Sequence, residues 1–128
     1  MRYIVFVTGL PYGTQNAITA FLFIKSIILS NFYIKKVFFY ASGVYNANCM
    51  IYPPENEFNI LNGWINLKKK YNIPLCVCPS SSYRRGILLH KSINKIKKIK
   101  SNFSSSFQWM TLSELSYSIH DSDRIIQF

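Results

Sequence analysis

Three short runs of β-branched and aromatic residues, Arg2 to Val7, Lys36 to Tyr40 and Pro74 to Cys78, are set apart by longer stretches whose apolar residues recur at helical spacing. That alternation constrains the fold more than any other feature. Runs that are apolar at nearly every position, rather than at every second one, belong to strands covered on both faces, as in a parallel sheet. Between them, Gln15 to Leu29 carries Ala17, Ile18, Ala20, Phe21, Leu22 and Phe23, then Ile24, Ile27 and Ile28, around most of a helical circumference. Such a helix is expected to be largely buried, against the sheet and a partner subunit. Phe58 to Lys70 repeats Ile60, Leu61, Trp64, Ile65 and Leu67 at helical spacing, and Trp64 is expected in the core. Strand, helix and strand joined by a right-handed crossover make a βαβ unit. The expected fold class is α/β: a single small domain over residues 1–128, a mostly parallel sheet with helices on both faces.

The remaining segments fill in around this frame. Thr8 to Thr14 and Ala41 to Asn48 are expected as turns, and Cys49 to Asn56, with Pro53-Pro54, as irregular chain. A helix is expected from Ser80 to about Leu89 with Tyr83, Ile87 and Leu88 inward. Lys91 to Ser106 fits either a solvent-facing helix with an isoleucine stripe or a loop. Phe107 to Leu112 is a short strand or turn. Ser113 to Ile119 is a helix capped by Thr111 or Ser113, with Glu114 in its first turn, where the dipole favours acid. Asp123 to Phe128 is a last strand with Ile125 and Ile126 inside.

Composition excludes some classes. With 49% hydrophobic residues the chain is not disordered. Three cysteines, an odd number, make no disulfide framework and suit a reducing cytoplasm. The apolar N-terminus is broken at Thr8 to Gly13 and its longer piece contains Lys25, so no targeting or membrane segment is expected. A net charge of +10 invites a nucleic-acid reading. Abundant Ile, Asn, Lys, Phe and Tyr are also what A·T-rich coding produces, and the clusters Lys68 to Lys70 and Lys91 to Lys100 are expected as solvated faces. Dinucleotide, Walker, nucleophile-elbow and zinc spacings are absent. The loop Thr8 to Thr14 resembles an anion or flavin-phosphate cradle only weakly, lacking the full glycine pattern.

One stretch does carry chemistry. In Pro74-Leu75-Cys76-Val77-Cys78-Pro79-Ser80 a strand ends at Cys78 and a helix begins, with Pro79 suited to the first helical position. Open α/β sheets place their sites at strand carboxyl ends. Unpaired helix N–H groups there favour a thiolate, the reactive form of cysteine. The competing reading is a buried packing cysteine. Cys76 shares the strand face of Cys78 by the period of two, and is expected to be structural.

Four stretches together resemble the DsrE family of sulfur-relay proteins: Val7 to Gln15, Phe38 to Asn48, Cys78 with Arg84-Arg85-Gly86, and Asp123 to Phe128. The resemblance implies a DsrE-like α/β fold and a sulfurtransferase in which Cys78 accepts sulfane sulfur as a persulfide, with no metal or cofactor. It implies TusB-like and TusC-like paralogous subunits in a heterohexamer, an upstream TusA-like sulfur donor and a downstream TusE-like acceptor, with 2-thiolation of the tRNA wobble uridine as the destination. Pro79 and Ser80 to Ser82 depart from the small apolar residues expected there. The rival readings are a catalytically idle subunit of the same complex, a basic tRNA-binding module and a flavodoxin-like flavin binder.

Overall fold

The computed structural model describes residues 1–89 and 101–128. The expectation for Lys91 to Ser106 falls mostly outside these residues. Five parallel strands, β1 (Arg2–Val7), β2 (Tyr33–Phe39), β3 (Leu75–Val77), β4 (Gln108–Trp109) and β5 (Arg124–Gln127), form one sheet in the order β4-β3-β2-β1-β5. Between them lie α1 (Asn16–Leu29), a 3-10 helix at Ala41–Ala47, α2 (Ile60–Tyr71), α3 (Pro79–Arg84) and α4 (Leu112–His120).

Handedness sorts these helices between the two faces. From β1 to β4 each crossover steps to the next strand in one direction, and right-handed connections then all lie on one side of the sheet. That side holds the larger core: Val5, Val7, Val37, Phe39, Leu75 and Val77 beneath Ala17, Phe21, Ile24, Ile60, Trp64 and Leu67. Phe103 and Phe107, on the way into β4, join the same layer. The connection from β4 must return across the sheet to β5, so α4 lies on the opposite face. There Leu115 closes a smaller cluster with Ile4, Phe38, Cys76 and Cys78.

The strand period of two separates Ile4 from Val5, and Phe38 from Phe39, between these layers. A bulge in β2 lets the pattern survive an interruption: Tyr3 pairs with Ile34 but Ile4 pairs with Lys36, so Lys35 is the extra residue. Ile34 and Val37 thereby both face the larger core. Lys35 reaches the Ser118 and Asp121 carbonyls, and Lys36 donates to Ser118 Oγ at 2.7 Å, so the two lysines tie β2 to α4.

Several expectations need correction. The 41–48 segment is mostly a 3-10 helix, held by buried Asn46, whose side-chain amide donates to the Gly9 and Gly43 carbonyls while its Oδ1 accepts from Trp64 Nε1 at 3.0 Å. Gly43 lies so close to β1 that a Cβ there would stand 2.0 Å from the Val7 carbonyl oxygen. Helix α3 stops at Arg84 rather than near Leu89. Gly86, at φ +74°, ends it in a Schellman turn: Ile87 N–H donates to the Ser82 carbonyl and Gly86 N–H to that of Tyr83. Tyr83 is consequently 46% exposed rather than inward, while Ile87 is buried as expected. Ile125, expected inside, is 42% exposed because β5 is an edge strand whose outer flank has no neighbour in the sheet. Helix α1 buries one face through Ala17, Ala20, Phe21 and Ile24 but leaves Leu22 and Leu29 exposed. Among the described residues no helix is long and apolar enough to cross a membrane.

Candidate active site

Strand β3 consists of three fully buried residues, Leu75, Cys76 and Val77, and delivers Cys78 to the sheet's carboxyl edge. Cys78 N–H donates to the Phe39 carbonyl, the last ladder bond, and its own carbonyl accepts from Ser82 N–H, the first bond of α3. Its extended backbone, φ −68° and ψ 119°, makes it the N-cap residue, and Pro79 occupies the first helical position as the sequence requires. The thiol does not cap the helix, so it is uncommitted to the backbone.

Of the three serines that depart from an apolar pattern, Ser81 and Ser82 are buried, each differently. Ser81 Oγ accepts from Ala41 N–H at 3.1 Å, fastening α3 to the turn after β2. Ala41 itself is held at φ +50°, a left-handed conformation unfavourable for a residue with a Cβ. Ser82 Oγ is buried with no hydrogen-bond partner among the described residues.

Beside Cys78 lies a pocket of about 260 Å³, walled by Tyr40 after β2, Pro79, Ser80 and Arg84 from α3, and Thr111 and Leu112 after β4. Its place follows from topology. The chain leaving β3 runs to the α1/α2 side and the chain leaving β4 to the α4 side, so the two connections diverge and open a crevice between their strands' carboxyl ends. Cys78 lines this crevice while itself only 4% exposed. The arginine pair separates: Arg84 lines the pocket, whereas Arg85 turns back to donate from Nη1 to the Ser81 carbonyl. Arg84 is therefore the member of the pair that shares the pocket with Cys78.

Opposite, Thr111 caps α4, its Oγ1 accepting from Glu114 N–H while the Glu114 carboxylate accepts from Thr111 N–H at 2.6 Å. The Thr111 N–H is the main reason that this carboxyl is held below its usual range, with the Thr111 hydroxyl adding to it. Cys76 lies within β3 and is fully buried. Burial pushes its thiol from 9.0 up to about 11, against the pull of Lys36, Lys68 and a hydrogen bond with Gln108. Cys49 is exposed and far along the chain, after the 3-10 helix. Among the described residues no group of His, Cys, Asp or Glu is placed to hold a metal ion.

Of the residues lining the pocket, the sequence singles out Cys78, and names Arg84 without a role, but gives no hint of Tyr40 and Thr111 as walls. Tyr40 is the first residue after β2 and Thr111 the second after β4, the one signal by which they are findable.

A parallel sheet with a cysteine at its topological switch point defines a thiol-bearing α/β protein of the doubly wound kind. The chain belongs to the DsrE/DsrF-like family, whose family model matches residues 1–128. It is 48% identical over 128 residues to sulfurtransferase TusD of Buchnera aphidicola subsp. Schizaphis graminum, covering all of both chains. To the protein of that name in Buchnera aphidicola subsp. Acyrthosiphon pisum it is 46% identical, again over all of both. To that of Proteus mirabilis it is 37% identical over all of this chain and 98% of the other. The ychN protein of E. coli, 23% identical, superposes with a TM-score of 0.74 over all of both chains and shares the fold. The chain is accordingly a sulfurtransferase of the sulfur-relay type.

Proposed function

We propose that Cys78 is the sulfur-carrying nucleophile of this sulfurtransferase. The observation that carries the reading is its position: an uncapped thiol at the switch point, lining a pocket with the Arg84 guanidinium. Cys78 thiolate attacks the outer sulfur of a donor persulfide, forming the Cys78 S–S bond as the donor's own S–S bond breaks and its thiolate leaves. An acceptor thiolate then attacks the outer sulfur of Cys78 persulfide and releases Cys78 as thiolate. Each step exchanges one S–S bond for another, so no outside oxidant, reductant, metal or cofactor is needed. Arg84 offers positive charge to the sulfur anion present before and after each step, and the peptide N–H groups opening α3 add to it.

The relatives' shared name, sulfurtransferase TusD, supports a wider setting that belongs to the same proposal. The chain acts in the cytoplasm, in a heterohexamer with TusB-like and TusC-like paralogous subunits. It takes sulfur from a TusA-like donor and passes it to a TusE-like acceptor for 2-thiolation of the tRNA wobble uridine. The near-complete burial of Cys78 favours a second reading, an idle assembly subunit whose cysteine packs the smaller core.

One experiment separates them. The co-expressed complex is incubated with a persulfide donor, and peptide mass spectrometry compares wild type with Cys78→Ser and Cys76→Ser. A gain of one sulfur on Cys78, kept in Cys76→Ser and lost in Cys78→Ser, is the expected result. An unmodified Cys78 in an assembled complex establishes the idle subunit.

A further inference from the structure

A second concavity is larger than the cysteine pocket: a groove of about 400 Å³ between α1 and α2, on the outer side of the larger core. Phe21 and Phe58, 5.3 Å apart between ring centroids, are among the rings lining it. Gly63 of α2 lets them close in, since a Cβ there would stand 2.9 Å from the Phe58 ring and 3.0 Å from that of Phe21. A glycine inside an exposed helix costs about 1 kcal/mol against alanine, and here the two rings occupy the space a side chain would take.

Half-exposed π-faces and free amides share this groove. Phe58 is 51% exposed and Tyr71 is 38% exposed. Asn62 and Asn66, one helical turn apart, also line it, and no hydrogen bond among the described residues engages their side-chain amides. Two ammonium groups sit over ring faces: Lys25 Nζ at 5.7 Å from the centre of Phe21 and Lys70 Nζ at 5.1 Å from that of Tyr71. Neither α1 nor α2 contains an acidic residue, and the whole chain carries +10.

We propose that the α1–α2 groove binds single-stranded RNA. Unstacked bases lie on the exposed faces of Phe58 and Tyr71, the Asn62 and Asn66 amides pair with base edges as donor and acceptor, and Lys25 and Lys70 hold flanking phosphates. Charge complementarity requires an anionic occupant, and aromatic faces beside unused carboxamides fit a nucleobase better than the apolar stripe of an acidic helix. The site is separate from the Cys78 pocket, with which it shares no lining residue.

The test is fluorescence anisotropy of a labelled single-stranded oligouridine of about ten nucleotides, a length within the usual site range, titrated with the 128-residue chain at several salt concentrations. Lys25→Gln/Lys70→Gln is expected to weaken binding about tenfold and to lower the salt slope by about 1.4, two phosphate contacts' worth. Asn62→Ala/Asn66→Ala, a surface change that keeps the fold, weakens it about fivefold with the slope unchanged. Lys69→Gln/Arg124→Gln removes equal charge outside the groove and leaves affinity within about twofold. Absence of binding, equal loss in the groove and control variants, or displacement of the RNA by an acidic helical peptide overturns the proposal. Persulfide loading of Cys78, measured on the same variants, stays at the wild-type level, so failure here is distinct from failure of the sulfur-carrier reading.

Discussion

Two cysteines two residues apart on one strand face sit in different surroundings: one inside the strand, the other at its end. Cys76 lies inside β3, where no water reaches a charged sulfur, and its titration is pushed up to about 11. Cys78 lies where the strand has ended, with a helix opening and an arginine in the same pocket. Iodoacetamide at neutral pH should therefore leave Cys76 unlabelled in the native protein and label it only after unfolding, as peptide mass spectrometry will show. The same burial makes stability depend on pH. The folded state keeps the Cys76 proton that the unfolded chain has lost, so this contribution is whole below pH 9.0 and is lost as pH rises towards about 11. Urea midpoints should fall across that window in wild type and less in Cys76→Ala.

At the scale of elements, what was legible depended on whether a segment's partners lie nearby in sequence. β1 was placed to the residue, and α4 through its cap, because a strand's apolar run and the Thr111 to Glu114 capping box are local signals. The N-cap position of Cys78 is legible the same way, through Pro79. The outward turn of Ile125 was not legible, because Ile125-Ile126 has the composition of a core strand and only the sheet order makes it an edge. Nor was Asn46. It lies in a segment expected as a turn, yet it joins the loop after β1, the 3-10 helix and α2 through bonds to Gly9, Gly43 and Trp64. Replacing it with leucine leaves the buried Trp64 N–H without its partner and removes the side-chain bonds to the Gly9 and Gly43 carbonyls. Asn46→Leu should therefore cost about 2–3 kcal/mol, read as a lowered urea midpoint with an unchanged denaturant slope.

At the scale of the whole molecule the two faces are covered unequally. Among the described residues α4 is the helix over the smaller core, burying only Leu115 of its own, while Leu112, Tyr117, Ile119 and Ile125 remain exposed. With Leu22 and Leu29 exposed on α1 as well, the chain made alone should self-associate, and sedimentation velocity should show species heavier than the 14.9 kDa monomer. The sheet's order also has a consequence for synthesis. β1 leaves the ribosome first but pairs on one flank with β5, so Arg2 waits for Asp123, 121 residues later, and Thr8 waits for Phe128. Until then the nascent chain presents an open parallel edge at its oldest strand, the kind of surface that other chains extend into aggregates and that chaperones cover.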